Sequence, residues 1–411
     1  MSNSFIILIL LLLFSIFGAT NSILLKYLFK EQSKNVYFNH NWFIVIIMFF
    51  AEMIGIPLYY IIYRITKKND IKEDPIFKDI VLYSFEKKEE VTEELPKIKK
   101  IFFLGYPFIF DMFQTGVGLA FPTMLPGGIN NMIKGVLLIV ITFLLSKFYL
   151  KHKYNLDQYI SFIISIIGFI LVGISTIIQE KEKKEDESVT NIGLMIADII
   201  LAIVCVCFRS LKFCIEETYM RKYSFHPFLF IGTEGLFGLI FSIFLCIIFY
   251  FIKCGSDPSD FLQKLCTKDG NGIWRIENAI FAFQQIFDNK NILLYIIFLI
   301  ISISVFNIVG ISINKFGGAM SRSLVENSRA FLVWIFFVIP WVEEELRESF
   351  DLLRLIGLIL IFGNLLIYFG ILRLHERRRL KKQLRAYSQD EIKIDSEHGS
   401  FIILNDIIND N

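Results

Sequence analysis

Long apolar runs broken by short polar ones dominate the chain, and ten of them can be drawn: about 5–25, 41–63, 101–120, 128–149, 157–178, 191–214, 227–252, 291–313, 321–341 and 352–372. Several approach or exceed the ~20 residues that carry a helix across a hydrocarbon core. In water such runs would be sticky surface, whereas in lipid each satisfies its own backbone as a helix. The alternating segments of about ten residues that a β-barrel requires are not present. The pattern predicts an all-α polytopic membrane protein with ten transmembrane helices. The first run opens on "MSNS", without a basic residue, and stays apolar past Gly18 to Leu28. It therefore reads as a retained span rather than a cleaved signal peptide.

The polar intervals divide the chain. A connector at 64–100 mixes both charge signs and reads as a solvated linker. A polar linker follows at 179–190, a loop at 253–290, and a tail at 373–411 that is first basic and then acidic. Within the loop, "NGIWRIENAIFAFQQIF" puts Ile273, Ile276, Ile280, Phe283 and Phe287 near one helical face. That spacing predicts an amphipathic helix at the membrane interface.

Composition sharpens this picture. A length of 411 residues would ordinarily suggest two or three soluble domains. A hydrophobic content of 55% overrules that reading. The net charge of +2 gives no general attraction to nucleic acid. Basic residues gather in the connector, around Lys147–Lys153, at Arg221 and Lys222, at Lys315 and Arg322, and in the tail. The positive-inside rule then puts both termini in the cytosol and the 253–290 loop in the lumen. Four of the six cysteines, Cys205, Cys207, Cys214 and Cys246, lie in apolar runs and read as packing residues. Cys254 and Cys266 share the polar loop and could pair on an oxidising side. No His/Cys spacing suggests a metal, and no GxxxxGK[ST], GxSxG or HExxH is present. The expectation is a non-enzyme without cofactor or metal.

The two halves of the chain match. "FFAEMIGIP" carries Glu52 in the second span and "IGTEGLFGL" carries Glu234 in the seventh. Asp111 in the third span corresponds to Asn307 in the eighth, and Lys134 in the fourth to Arg329 in the ninth. Lys134 stands as far before Gly168 as Arg329 does before Gly363. Five spans per half is an odd number, so the halves, 1–178 and 191–372, run in opposite directions as an inverted repeat. Ionisable residues inside a membrane persist where they pair or face water. Glu52, Asp111, Lys134, Glu234, Asn307 and Arg329 are therefore the expected substrate-binding set around one cavity. Asp198 has no counterpart in the first half. Desolvation favours the neutral form of a carboxylic acid, which makes proton coupling a use for such groups. Snorkelling to the headgroups is the competing reading for Lys134 and Arg329, which lie near span ends.

"EETYMRKYSF" followed by "HPFLFIGTEGLFGLI", with "DMFQTGVGLAF", "INNMIKGVLLIVITFLLSKFY" and "FNIVGISINKFGGAMSRSLVENSRAFLVW", resembles the drug/metabolite transporter superfamily. The chain is most similar to the branch assigned to solute carrier family 35, subfamily F. It is a more distant look-alike of the chloroquine-resistance-transporter group. The branch has arginine where this chain has Lys134, and glutamine near Asp198. The resemblance implies ten helices in two inverted five-helix repeats around a central cavity. The expected function is secondary transport of a small organic solute by alternating access, with protons as a possible partner, in an endolysosomal or Golgi-type membrane. The alternative is a non-transporting membrane scaffold that recruits partners through its connector and tail.

Overall fold

The structure is a computed structural model that describes residues 3–69, 104–120, 127–183, 192–223, 225–255, 265–268, 272–340, 342–343 and 347–369. Most of the connector, most of the 179–190 linker and the whole 373–411 tail lie outside the described residues.

The apolar runs form helices whose irregularities have local causes. Helix α1 spans Asn3–Lys30. Helix α2 (Asn41–Met53) breaks at Ile54 and resumes as α3 (Gly55–Asn69). Pro57 accounts for the break, because it has no N–H to offer the Met53 carbonyl and its ring crowds that oxygen. Helix α4 (Phe108–Asp111) passes into a π-helical segment, Met112–Val117, and then into α5 (Gly118–Ala120). Longer helices follow: α6 (Gly127–Phe148), α7 (Leu156–Lys183), α8 (Ile192–Tyr223) and α9 (Pro227–Phe251). The last four are α10 (Ala279–Asp288), α11 (Lys290–Gly317), α12 (Ala319–Val338) and α13 (Leu352–Tyr368). Helix α8 continues well past 214, where the apolar run predicts its end.

Among the described residues, five segments are long and apolar enough to cross a membrane: Ile9–Lys30, Asn41–Ile65, Leu156–Gln179, Pro227–Phe251 and Lys290–Gly317. The chain is an integral membrane protein. Helix α7 shows the inversion expected in lipid. Its Ile163, Ile167, Ile170, Ile174 and Ile177 point outward, while Ser161, Ser165 and Ser175 are fully buried. Small residues on the inner face let neighbouring backbones approach.

The main helix pairs are α7 with α13, α1 with α11 and with α12, α2 with α9, and α6 with α7 and α8. Helix α12 packs on α13, and α8 packs on the π-helical segment. Two crossings depend on glycine. At α7–α13, a Cβ on Gly168 would lie 2.8 Å from the Gly357 carbonyl, and one on Gly357 would lie 2.7 Å from the Gly168 carbonyl. At α2–α9, a Cβ on Gly235 would lie 2.4 Å from the Met53 nitrogen.

At the end of the bundle where α1 meets α2, strands β1 (Gln32–Ser33) and β2 (Val36–Tyr37) form a hairpin. Strands β3 (Thr267–Lys268) and β4 (Trp274–Arg275) form another after α9. A disulfide joins Cys254 to Cys266 there. Helix α10 follows, capped by the Asn278 side chain accepting from the Phe281 N–H. It buries Phe281, Ala282, Gln285 and Ile286 and exposes Ile280, Phe283 and Phe287. Trp274 and Arg275, within the segment expected to be helical, are strand instead.

Candidate functional site

Six helices and the π-helical turn converge on a buried charged cluster. Helix α2 places Glu52 just ahead of the Pro57 break, and Asp111 closes α4 where the π-helical turn begins. Such turns recur at functional sites because they re-aim side chains. Gly235 lets α9 approach α2 closely enough to set Glu234 beside Glu52: a Cβ on that glycine would lie 2.7 Å from the Glu52 Cβ. Asn307 of α11 donates to Glu52 Oε1 at 2.8 Å.

The centre of the cluster is Lys212 of α8. Its Nζ lies 2.7 Å from Asp111 Oδ2, 2.7 Å from Glu234 Oε1 and 3.6 Å from Glu216 Oε1. Glu216 pairs in turn with Arg322 and accepts from Asn314 Nδ2 at 3.0 Å. The Arg322 guanidinium sits over the Phe213 ring, 4.5 Å from its centroid. Glu234 and Glu216 are fully buried, and Glu52, Asp111, Lys212 and Arg322 are nearly so.

Four carboxylates, Glu52, Asp111, Glu216 and Glu234, have two cations in direct pairing range, Lys212 and Arg322, and Arg209, itself paired with Glu326, is within electrostatic reach of Asp111. Glu52, Asp111 and Glu234 each bring a carboxylate oxygen within 4.8 Å of the others, a set of hard donors that could hold a cation. The Lys212 ammonium lies against two of the three and does a cation's electrostatic work. An uncompensated charge in so dry a place is strongly unfavourable, so the arrangement suits protons or positively charged groups that come and go.

The structure brings Glu52, Asp111, Glu234 and Asn307 together and places Lys134 and Arg329 elsewhere. Lys134, on α6, lines a small cavity with Val117, Gly118, Asp198, Leu201, Ala202 and Cys205. Its acidic neighbour is Asp198 of α8, against which α6 packs. Arg329 Nη2 lies 3.8 Å from Glu326 Oε1, and its guanidinium is 5.7 Å from the Phe306 ring centre. Glu326 also pairs with Arg209. The central ammonium thus comes from Lys212, on a helix whose apolar run had been expected to end at 214.

Lys212, Glu216, Arg322, Arg209 and Glu326 are the members that reading the apolar runs misses. Arg209 and Lys212 fall in the closing turns of the run at 191–214, Arg322 and Glu326 in the opening turns of the run at 321–341, and Glu216 just beyond the former; Arg322 counts there as a loop cation. The signal available is helical spacing, since Lys212 and Glu216 stand four residues apart, as do Arg322 and Glu326. Glu217, the neighbour of Glu216, turns the other way. Its Oε2 accepts from the Ala319 N–H at 2.7 Å and its Oε1 lies 3.1 Å from His152 Nε2. That carboxylate caps α12, whose preceding Gly318 has φ +85.

Known proteins resemble this chain in sequence or in fold. Solute carrier family 35 member F6 of Homo sapiens is 27% identical over 271 residues, covering 65% of this chain and 66% of that protein. The chain thus spans just under two thirds of that relative's length. The member F6 of Pongo abelii is 26% identical over 346 residues, covering 83% of this chain and 81% of that protein. A solved crystal structure aligns with a TM-score of 0.51 at 11% identity, covering 92% of this chain and 99% of the other. That likeness concerns the fold alone. Residues 74–368 match the family described as CRT-like, chloroquine-resistance transporter-like, and so take in Asp111, Lys212, Glu234, Asn307 and Arg322. With the match spanning most of the chain, this protein belongs to the CRT-like family.

Proposed function

We propose that the protein is a secondary transporter that moves a small organic solute by alternating access, coupled to protons, in an organelle membrane. Ten transmembrane helices in two inverted five-helix repeats carry it, with both termini in the cytosol and the disulfide in the lumen. The packing supports the repeat. Exchanging α1, α2–α3, α4–α5, α6 and α7 for α8, α9, α11, α12 and α13 maps the most extensive helix pairs onto one another, while α11–α12, α8–α12 and α8–α11 have no comparable image among the described residues. The pair α1–α12 becomes α8–α6, α1–α11 becomes α8 with the π-helical segment, and α6–α7 becomes α12–α13. The pairs α2–α9 and α7–α13 map onto themselves, and the reciprocal Gly168–Gly357 approach is what a pseudo-two-fold axis at that crossing requires.

The observation that carries the functional reading is the buried cluster of Glu52, Asp111, Lys212, Glu234 and Asn307, drawn from both halves, with its carboxylates in excess. Helices interrupted at Ile54 and after Asp111 supply two of those carboxylates, as in transporters that bind near the midplane. A proton or a cationic solute neutralises the surplus, and its departure favours rearrangement of the two halves. The test is uptake by purified protein in proteoliposomes, using a panel of solutes with and without a pH gradient. Glu52→Gln and Glu234→Gln are each expected to lower gradient-driven uptake by about tenfold or more, the scale of removing one essential acid–base group. Normal uptake by both variants at every pH would sink the reading.

A further inference from the structure

At the disulfide-bearing end, far along α2 from Glu52, a second polar network is sealed from solvent. His40, Glu277 and Gln285 are 1%, 0% and 0% exposed. His40 Nδ1 lies 2.6 Å from Glu277 Oε1, and His40 Nε2 lies 3.1 Å from Gln285 Oε1. The orientation of the Gln285 amide follows from its other bonds. Its Nε2 donates to the Ser33 and Val36 carbonyls, each at 3.1 Å, and carbonyls only accept. Oε1 must therefore face His40, and Nε2 of the imidazole must carry a hydrogen.

Glu277 closes the count on the other side. Its Oε2 accepts from the Trp42 and Phe43 N–H groups at 2.9 and 3.1 Å, the free donors in the first turn of α2. Its Oε1 also accepts from the Asn278 N–H at 2.8 Å. Three backbone donors thus point at this carboxylate. The short contact between that carboxylate and Nδ1 then needs a proton of its own. Whether that proton rests on nitrogen or oxygen, the pair holds one more than a neutral histidine beside an ionised glutamate.

We propose that His40 and Glu277 form a proton-binding site, apart from the central cluster, that clamps the start of α2 to the β1–β2 hairpin and to α10 while the proton is bound. Losing it leaves a lone pair on Nδ1 facing a carboxylate, or, in the other tautomer, a lone pair on Nε2 facing Gln285 Oε1. Turning the Gln285 amide to relieve the second clash would forfeit two bonds to backbone carbonyls. Deprotonation therefore opens the clamp.

Among the described residues, no other charged side chain bonds to the pair. Phe38 and Phe281 pack on the imidazole with ring centres 5.1 and 5.9 Å away. Glu277 also has the Cys246 thiol of α9 within electrostatic reach. Nearby charged groups on the hairpins and α10 are engaged with other partners: Asp288 with Ser33, Lys34 with Gln284, Glu31 with Asn289, and Arg275 with the Tyr250 carbonyl. The sign follows from which state holds the proton. The folded clamp binds it, so protonation favours the clamped state, which is more populated at low pH than at high pH.

The test uses the full-length protein in lipid nanodiscs. Thermal unfolding is followed from about pH 5 to about pH 8, the range in which histidine changes charge. The wild-type Tm is expected to fall with rising pH, and His40→Gln to give a flatter profile lying near the wild-type high-pH values. A second measurement does not depend on the variant folding: nitrogen NMR of 15N-histidine-labelled wild type at about pH 6, within that same range. One imidazole should show both nitrogens protonated while sealed from exchange with water. Parallel wild-type and His40→Gln profiles, or no solvent-protected imidazolium in the spectrum, would overturn the proposal. Because neither measurement involves solute uptake, failure here and failure of the transport reading remain distinguishable.

Discussion

Lys212 holds the central cluster together, and its removal should be more damaging than removal of any one acid. In Lys212→Met the carboxylates of Asp111, Glu234 and Glu216 would share a dry site without their common partner. Breaking a buried pair from one side costs roughly 3–5 kcal/mol, which should appear as a large drop in Tm or in folded yield. Lys212→Met combined with Glu234→Gln should recover part of that loss, because the second change removes one of the stranded charges. Additive losses in the double variant would show that Lys212 stabilises the fold in some other way. Glu52, Asp111, Glu234 and Asn307 were legible as polar residues deep in apolar runs. Lys212 and Arg322 were not, because each stands within two residues of the end of its run, where a charge reads as the polar edge of a span, whereas in this fold ion pairs hold both inside the bundle.

At the scale of the element, the two glycine crossings decide which faces meet. Gly168→Val should weaken the α7–α13 pair severely, since even its Cβ would lie 2.8 Å from the backbone oxygen of Gly357 and there is no side chain to yield. Gly363, whose added Cβ would meet nothing within 4 Å, is the control. Gly363→Ala should be neutral or more stable by about 0.5–1 kcal/mol, the usual gain of alanine over glycine inside a helix. Thermal unfolding of both variants checks the contrast. Counting residues between landmarks paired Gly168 with Gly363, whereas the helices meet at Gly168 and Gly357. Linear spacing runs through turns whose lengths differ along the chain, so it does not give the register of the crossing. The break after Met53 was readable from Pro57. The π-helical turn after Asp111 has no comparable mark, and only the packed structure reveals it.

At the scale of the whole molecule, the polar loop is tied down where the chain emerges from α9. Intact protein should carry four reactive thiols under denaturing, non-reducing conditions, from Cys205, Cys207, Cys214 and Cys246, and six after reduction. Mass spectrometry after alkylation distinguishes these outcomes, and six thiols before reduction would place the loop in a reducing compartment. The pairing of Cys254 with Cys266 was suggested by their sharing one polar loop. The strand at Trp274–Arg275 was hidden because its alternation is too short to stand out from a helical stripe. The excess of carboxylates in the central cluster has a consequence for the protein as an electrical object. A proton or cation that neutralises those carboxylates sits within the span of the membrane and crosses part of its field on the way in or out. Each unit charge moved through the full field gains or loses about 2.3 kcal/mol per 100 mV. Under the proposed mechanism the cluster therefore senses membrane voltage as well as pH, and the two gradients act on the same few side chains.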